Sequence, residues 1–154
     1  SKMCRLALKT KIKFFLKDIY EKNLRLNLNF GHTFAHAIEM TLEKHLNSLN
    51  IRHGEAVGIG ILCELYYAFQ KKNKIFYETK KILEDYSLPT KLNGEKIKKN
   101  KQMLQSVIYK NIFLDKKRIS QYPRYIKLIK KGKTKVTEMK NFDHLNDTIF
   151  SIIF

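Results

Sequence analysis

Apolar residues recur along most of this chain at the three- and four-residue spacing of helices. Across residues 2–22, Leu6, Leu8, Ile12, Phe15, Leu16 and Ile19 form a rough helical stripe that Asn23 is expected to end or bend. A second helix is expected to begin at Asn29 or Thr33 and to end near Leu46, because Asn47-Ser48-Leu49-Asn50 has the composition of a loop. From His53 to about Lys72 the pattern reads as one long helix. Gly58 and Gly60 inside it each cost about 1 kcal/mol relative to alanine, so a second backbone is expected to pack closely there. Residues 74–86, stopped by Leu88-Pro89, and residues 95–113 read as further helices. Residues 125–129 and 133–136 flank Gly132 as two short strands, and 142–153 read as a terminal helix. The expected fold is therefore mainly α, a single multi-helical domain over residues 1–154 with a short two-stranded β element near the C-terminus, without internal repeats or long linkers.

Composition suits one ordinary core. Hydrophobic residues make up 44% of the chain, and no apolar run approaches the roughly 18 residues of a membrane span. Ile59-Gly60-Ile61-Leu62-Cys63, bracketed by Glu55 and Glu64, is the most apolar stretch. Residues 1–16 alternate lysine with apolar residues and lack a small-residue cleavage motif, so no signal peptide is read. The two cysteines, Cys4 and Cys63, are read as reduced core or near-core thiols, and the chain as cytoplasmic without a membrane partner. Thirty-one lysines and arginines face fourteen acidic residues, a net charge of +17. Such a charge invites a nucleic-acid reading. The cations, however, are spread as pairs along the whole chain (Lys71-Lys72, Lys98-Lys99, Lys130-Lys131), with no nucleic-acid motif beside them. They read as solvated helix faces, a part of them serving an anionic substrate.

Chemistry concentrates in the histidines. His32 and His36 are spaced to share one face of a helix, and His53 opens the next helix, which could fold back against the first. Neutral imidazole is the commonest protein ligand for zinc, and a catalytic zinc takes about three protein ligands and keeps one open position. Spacing alone leaves a packed core histidine as the competing reading. His45 and His144 belong to no such pattern and are expected at the surface.

The flanking residues carry a resemblance. Arg25, Asn29-Phe30-Gly31-His32-Thr33, then His36-Ala37 and Glu39, then His53-Gly54-Glu55-Ala56-Val57, resemble the 3-dehydroquinate synthase pattern R-x-x-L-N-F-G-H-T-x-G-H-A-x-E followed by H-G-E-A-V. Upstream, Lys11, Asp18, Glu21 and Arg25 are similar to the family's lysine, D-E-x-E and arginine; downstream, Asp115-Lys116-Lys117 resembles its D-K-K, and 125–129 up to Gly132 its apolar segment ending in glycine. Ala35, Ile19 and Asn23 depart from the glycine, acidic residue and glycine usual at those positions.

The resemblance implies a C-terminal helical domain whose partner, an α/β domain that binds NAD, is absent from this chain; no G-x-G-x-x-G occurs in it. It implies Zn2+ or Co2+ held by His32 and His53, with the third ligand, a glutamate, upstream of residue 1. It makes His36 the catalytic residue that moves protons near the substrate. Lys11, Arg25, Asn29, His36 and Lys117 would bind a sugar-acid phosphate, with Lys116 as the alternative to Lys117. Asp18 and Glu21 would orient Lys11 and Arg25, and Glu39 and Glu55 would support the ligand histidines. The implied reaction converts 3-deoxy-D-arabino-heptulosonate 7-phosphate to 3-dehydroquinate and phosphate on the shikimate route, in a homodimer, with the isolated chain inactive. A sibling cyclase of the 2-deoxy-scyllo-inosose or valiolone type, a metal-dependent polyol dehydrogenase and an inactive truncated product remain open.

Overall fold

A computed structural model describes residues 2–22, 24–46, 51–114 and 121–154. Its architecture is mainly helical with a two-stranded antiparallel sheet near the C-terminus, as expected from the patterning. The order is helix α1 (Lys2–Lys17), a 3-10 turn (Leu24–Asn29), α2 (His32–His45), α3 (His53–Phe69), α4 (Lys74–Asp85), α5 (Glu95–Lys99), α6 (Lys101–Phe113), strands β1 (Arg124–Lys130) and β2 (Lys133–Glu138), and α7 (Phe142–Thr148), which runs into a π-helical turn (Ile149–Ile153).

Helix α3 is apolar on nearly all sides and is the centre of the core. Phe34, Ile38 and Leu42 of α2 and Leu104, Ile108 and Ile112 of α6 recur every four residues, so each helix presents a continuous ridge, and α2 packs between α3 and α6. Leu145, Ile149 and Ile153 close the core from the C-terminal end. Where α2 meets α6, the Thr41 hydroxyl donates to the Ala37 carbonyl (2.6 Å) and accepts from Asn111 Nδ2 (2.9 Å), which satisfies a buried polar group. The hairpin pairs Tyr125 with Thr137 and Ile126 with Val136, and Gly132, at φ 77°, makes the turn that a side chain would strain.

Several boundaries differ from the sequence reading, each for a local reason. Helix α1 ends at Lys17, and Asp18 accepts the backbone N–H groups of Lys22 (3.0 Å) and Arg25 (3.0 Å), folding the chain into a turn instead of continuing the helix to residue 22. The apolar stripe of α1 is exposed, not buried: none of its residues is buried, and its main described neighbour is the 3-10 turn. Helix α2 starts after Gly31, at φ 85°, rather than at Asn29 or Thr33. Helix α3 stops at Phe69, short of Lys72, because Gln70 takes a left-handed backbone. The expected helix 95–113 is interrupted at Asn100, whose Nδ2 donates to the Lys96 carbonyl (2.9 Å) and so caps α5. Asn23 and the loop 47–50 lie outside the described residues.

Two side-chain expectations are also corrected. Cys63 is buried, but Cys4 stands exposed on α1, none of whose residues is buried. His144 is no surface residue. It is wedged between the rings of Tyr66 and Tyr67 (5.3 Å to each), its Nε2 lies 3.3 Å from the Tyr66 carbonyl, and Asp147 approaches its Nδ1 at 3.7 Å. His45 is exposed, as expected.

Candidate metal and substrate site

Two helix starts build the site. Gly31 sets His32 on the first turn of α2 and His36 one turn later, while His53 is the first residue of α3. The helices run antiparallel: Gly60 of α3 lies under Gly31, and His53 reaches Glu39. A Cβ on Gly60 would collide with the Gly31 carbonyl and stand 3.1 Å from the Ala35 amide nitrogen. That close approach is what the glycine permits, in agreement with the sequence argument. At Gly58 the contact is with the Leu83 side chain instead, 3.2 Å from an added Cβ.

The antiparallel packing draws three imidazoles together. Ring centroids are separated by 5.6 Å for His32 and His36, 5.2 Å for His32 and His53, and 6.1 Å for His36 and His53. His53 Nδ1 lies 3.0 Å from Glu39 Oε1 and 3.3 Å from Oε2, and His32 Nδ1 lies 3.4 Å from the Phe30 carbonyl. A partner at Nδ1 fixes the ring and leaves Nε2 as the nitrogen with a lone pair to offer. Burial, and then the neighbouring His36 and His53, hold His32 below the usual imidazole range against the opposing pull of the Phe30 carbonyl and Glu39. His32 is therefore neutral near pH 7, as a ligand must be. Among the described residues, no group of three or more His, Cys, Asp or Glu side chains is placed to hold a metal ion. Imidazole and carboxylate are donor types that zinc and cobalt accept.

A pocket opens beside these rings, lined by Asn29, His32, Thr33 and His36 on one side and by Tyr122, Arg124, Tyr125 and Ile126 on the other. Thr33 Oγ1 donates to the Arg124 carbonyl (2.8 Å) and ties the two walls together. Asn29 Nδ2 donates to Glu21 Oε1 (2.7 Å), which fixes the amide at the pocket edge. Arg25 points elsewhere: its Nη1 donates to the Ile19 carbonyl (2.8 Å), Nη2 approaches Glu21 at 3.7 Å, and the guanidinium lies over the Phe15 ring at 5.0 Å. Lys11 is exposed on α1 and does not line the pocket. Lys117, with Asp115 and Lys116, lies outside the described residues. Of the two carboxylates expected beside the histidines, Glu39 is there, against His53. Glu55 does not; its carboxylate accepts the Arg52 N–H at 2.9 Å and caps α3.

Arg124 and Tyr122 line the pocket although the sequence pattern marks them only by adjacency to the apolar segment 125–129. In the sequence pattern Glu64 is only the flank of an apolar run. It is the one charged side chain buried among the described residues.

Comparison with known proteins gives the family. Residues 1–118 match the family described as 3-dehydroquinate synthase C-terminal. A 3-dehydroquinate synthase of Streptococcus equi subsp. equi is 33% identical over 140 residues, covering 89% of this chain and 36% of that protein. One from Chlorobaculum parvum is 33% identical over 127 residues, covering 80% and 33%. One from Streptococcus agalactiae reaches 48% over 63 residues, covering 41% and 16%. The chain spans about a third of the length of the first two curated relatives.

Proposed function

This chain belongs to the 3-dehydroquinate synthase family, and we propose that it supplies the metal-ligating and substrate-binding residues of that activity, the phosphate-eliminating cyclisation of 3-deoxy-D-arabino-heptulosonate 7-phosphate to 3-dehydroquinate on the shikimate route. The observation that carries the reading is the convergence of the His32, His36 and His53 rings, with Glu39 on His53, and with His32, His36 and Asn29 lining the adjoining pocket. His32 and His53 would hold zinc or cobalt. When bound, the metal would polarise the hydroxyl to be oxidised, and NAD would carry the redox step. NAD would be held by residues outside these 154, since the sequence has no glycine-rich nucleotide loop.

His36, exposed at the pocket mouth, would move a proton at the reacting carbons. The Asn29 amide would address a ring hydroxyl. Lys11, Arg25 and Lys117 would meet the carboxylate and phosphate; Arg25 would exchange the Ile19 carbonyl and Glu21 for the substrate anion, a planar two-point contact that suits guanidinium.

Titration of the chain with Co2+ tests the metal, and phosphate release from the heptulosonate phosphate with Zn2+ and NAD, with and without the N-terminal part of the Streptococcus equi relative, tests the reaction. Co2+ binding that His32→Ala and His53→Ala each abolish, with phosphate released in the mixture, supports the reading. Absence of Co2+ binding and of phosphate release overturns it.

A further inference from the structure

Glu64 sits on α3 three helical turns beyond His53, 1% exposed, in the middle of an otherwise apolar core. A buried charge is costly unless something requires it there. Its surroundings supply the requirement. The Ile126 N–H of β1 donates to Glu64 Oε2 at 3.1 Å, and the amides of Gly31 and Thr33 and the Thr33 hydroxyl lie close enough to act on the carboxyl from the start of α2. The other oxygen, Oε1, is buried without a hydrogen bond of good geometry. Glu64 thus stands where three elements meet, and two of them form the walls of the histidine pocket.

The same junction is tied a second time and held close a third way. Thr33 Oγ1 donates to the Arg124 carbonyl, two residues before Ile126. Gly60, one turn before Glu64, admits the Gly31 carbonyl against α3. His32 lies between the two residues whose amides face Glu64. Any slip of that turn moves its imidazole relative to His36 and His53.

We propose that Glu64 is a positioning residue: its carboxyl clamps the first turn of α2 to β1 and so sets His32 at its ligand geometry. This rests on the metal reading above. Burial pushes the Glu64 pKa to about 8, so the clamp is a neutral acid at pH 7, with one accepting oxygen and one O–H. Glutamine has the same donor and acceptor on the same length of side chain. Aspartate keeps the acid but withdraws it by one methylene, and methionine keeps the volume without the polar atoms.

The test uses the 154-residue chain, Co2+ as probe, and amide hydrogen exchange read on peptides covering 30–36, 124–128 and 104–112. E64D and E64M should each weaken Co2+ binding about tenfold or more, in the range that loss of an outer partner costs a metal site. They should speed exchange at 30–36 and 124–128 at least tenfold relative to 104–112. E64Q should restore both to within about threefold of the parent. Parent-like Co2+ affinity in E64D and E64M, or exchange faster by the same factor in all three peptides, would overturn the clamp. If E64M does not fold, the contrast of E64D with E64Q decides. Should the parent chain bind no Co2+, the metal reading falls, and the exchange contrast alone sustains or overturns the clamp.

Discussion

Glutamine at position 64 should change how stability depends on pH as well as how the site is held. The Glu64 carboxyl has an ordinary pKa of 4.5 and is pushed to about 8 in the folded chain, first by burial, against the backbone amides of Gly31, Ile126 and Thr33. An acid with a raised folded pKa holds a proton in the native state that the unfolded chain has lost. Its contribution is fully present below pH 4.5 and is lost as pH rises to about 8. Each unit of difference corresponds to about 1.4 kcal/mol, so the total is on the order of 4–5 kcal/mol, with a slope near 1.4 kcal/mol per pH unit in mid-window. Against a typical domain stability of roughly 5–15 kcal/mol this is large. His32 works the other way: its lowered pKa makes the folded state gain stability as pH rises toward the usual imidazole range. That contribution is common to both chains and cancels in their difference. Cys63, whose thiol burial pushes up from 9.0, begins to interfere above that pH. Urea unfolding followed by circular dichroism at pH 5, 6, 7 and 8 is the assay. The E64Q chain should match the parent within about 1 kcal/mol at pH 5 and exceed it by several at pH 8. Parallel curves across the window would refute the reasoning, because they would mean that the native carboxyl ionises as it does in the unfolded chain.

Four further outcomes are expected. Gly60→Ala should lower stability by about 2–3 kcal/mol or prevent folding, since its Cβ meets the Gly31 carbonyl, whereas Gly54→Ala, with open space around it, should be neutral or stabilise by about 0.5–1 kcal/mol; thermal unfolding compares them. His32→Ala and His53→Ala should each remove most Co2+ binding, and His36→Ala should keep it within about threefold, read by equilibrium metal content; equal loss in all three would mean that the ligand assignment is wrong. Glu39→Ala should weaken Co2+ about tenfold by freeing the His53 ring, checked by competition with a chelator. Ile108→Ala, at a fully buried position between α6 and its neighbours, should cost about 2–5 kcal/mol in urea unfolding.

The sequence by itself determined whatever depends on neighbours along the chain. The four-residue recurrence of Phe34, Ile38 and Leu42, the all-round apolar character of α3 and the glycine turn between two β-prone segments set the helices and the hairpin to within a few residues. The histidine spacing likewise put His32 and His36 on one face, because the helical repeat alone decides that. Even local reading failed where a side chain competed with the backbone, as Asp18 does at the end of α1 and Asn100 does between α5 and α6. The tertiary structure decided which faces are covered. The stripe of α1 has the same periodicity as that of α2, yet one is exposed and the other is core, because a helix records its own apolar face and not whether another element packs on it. It also decided the partners of each polar group. Glu39 finds His53 and Glu55 does not; His144 is enclosed by two tyrosines; and Glu64, in sequence only the flank of an apolar run, lies at the junction of three elements. Such pairings join residues tens of positions apart, and their energies depend on distance and burial, which exist only once the chain has folded.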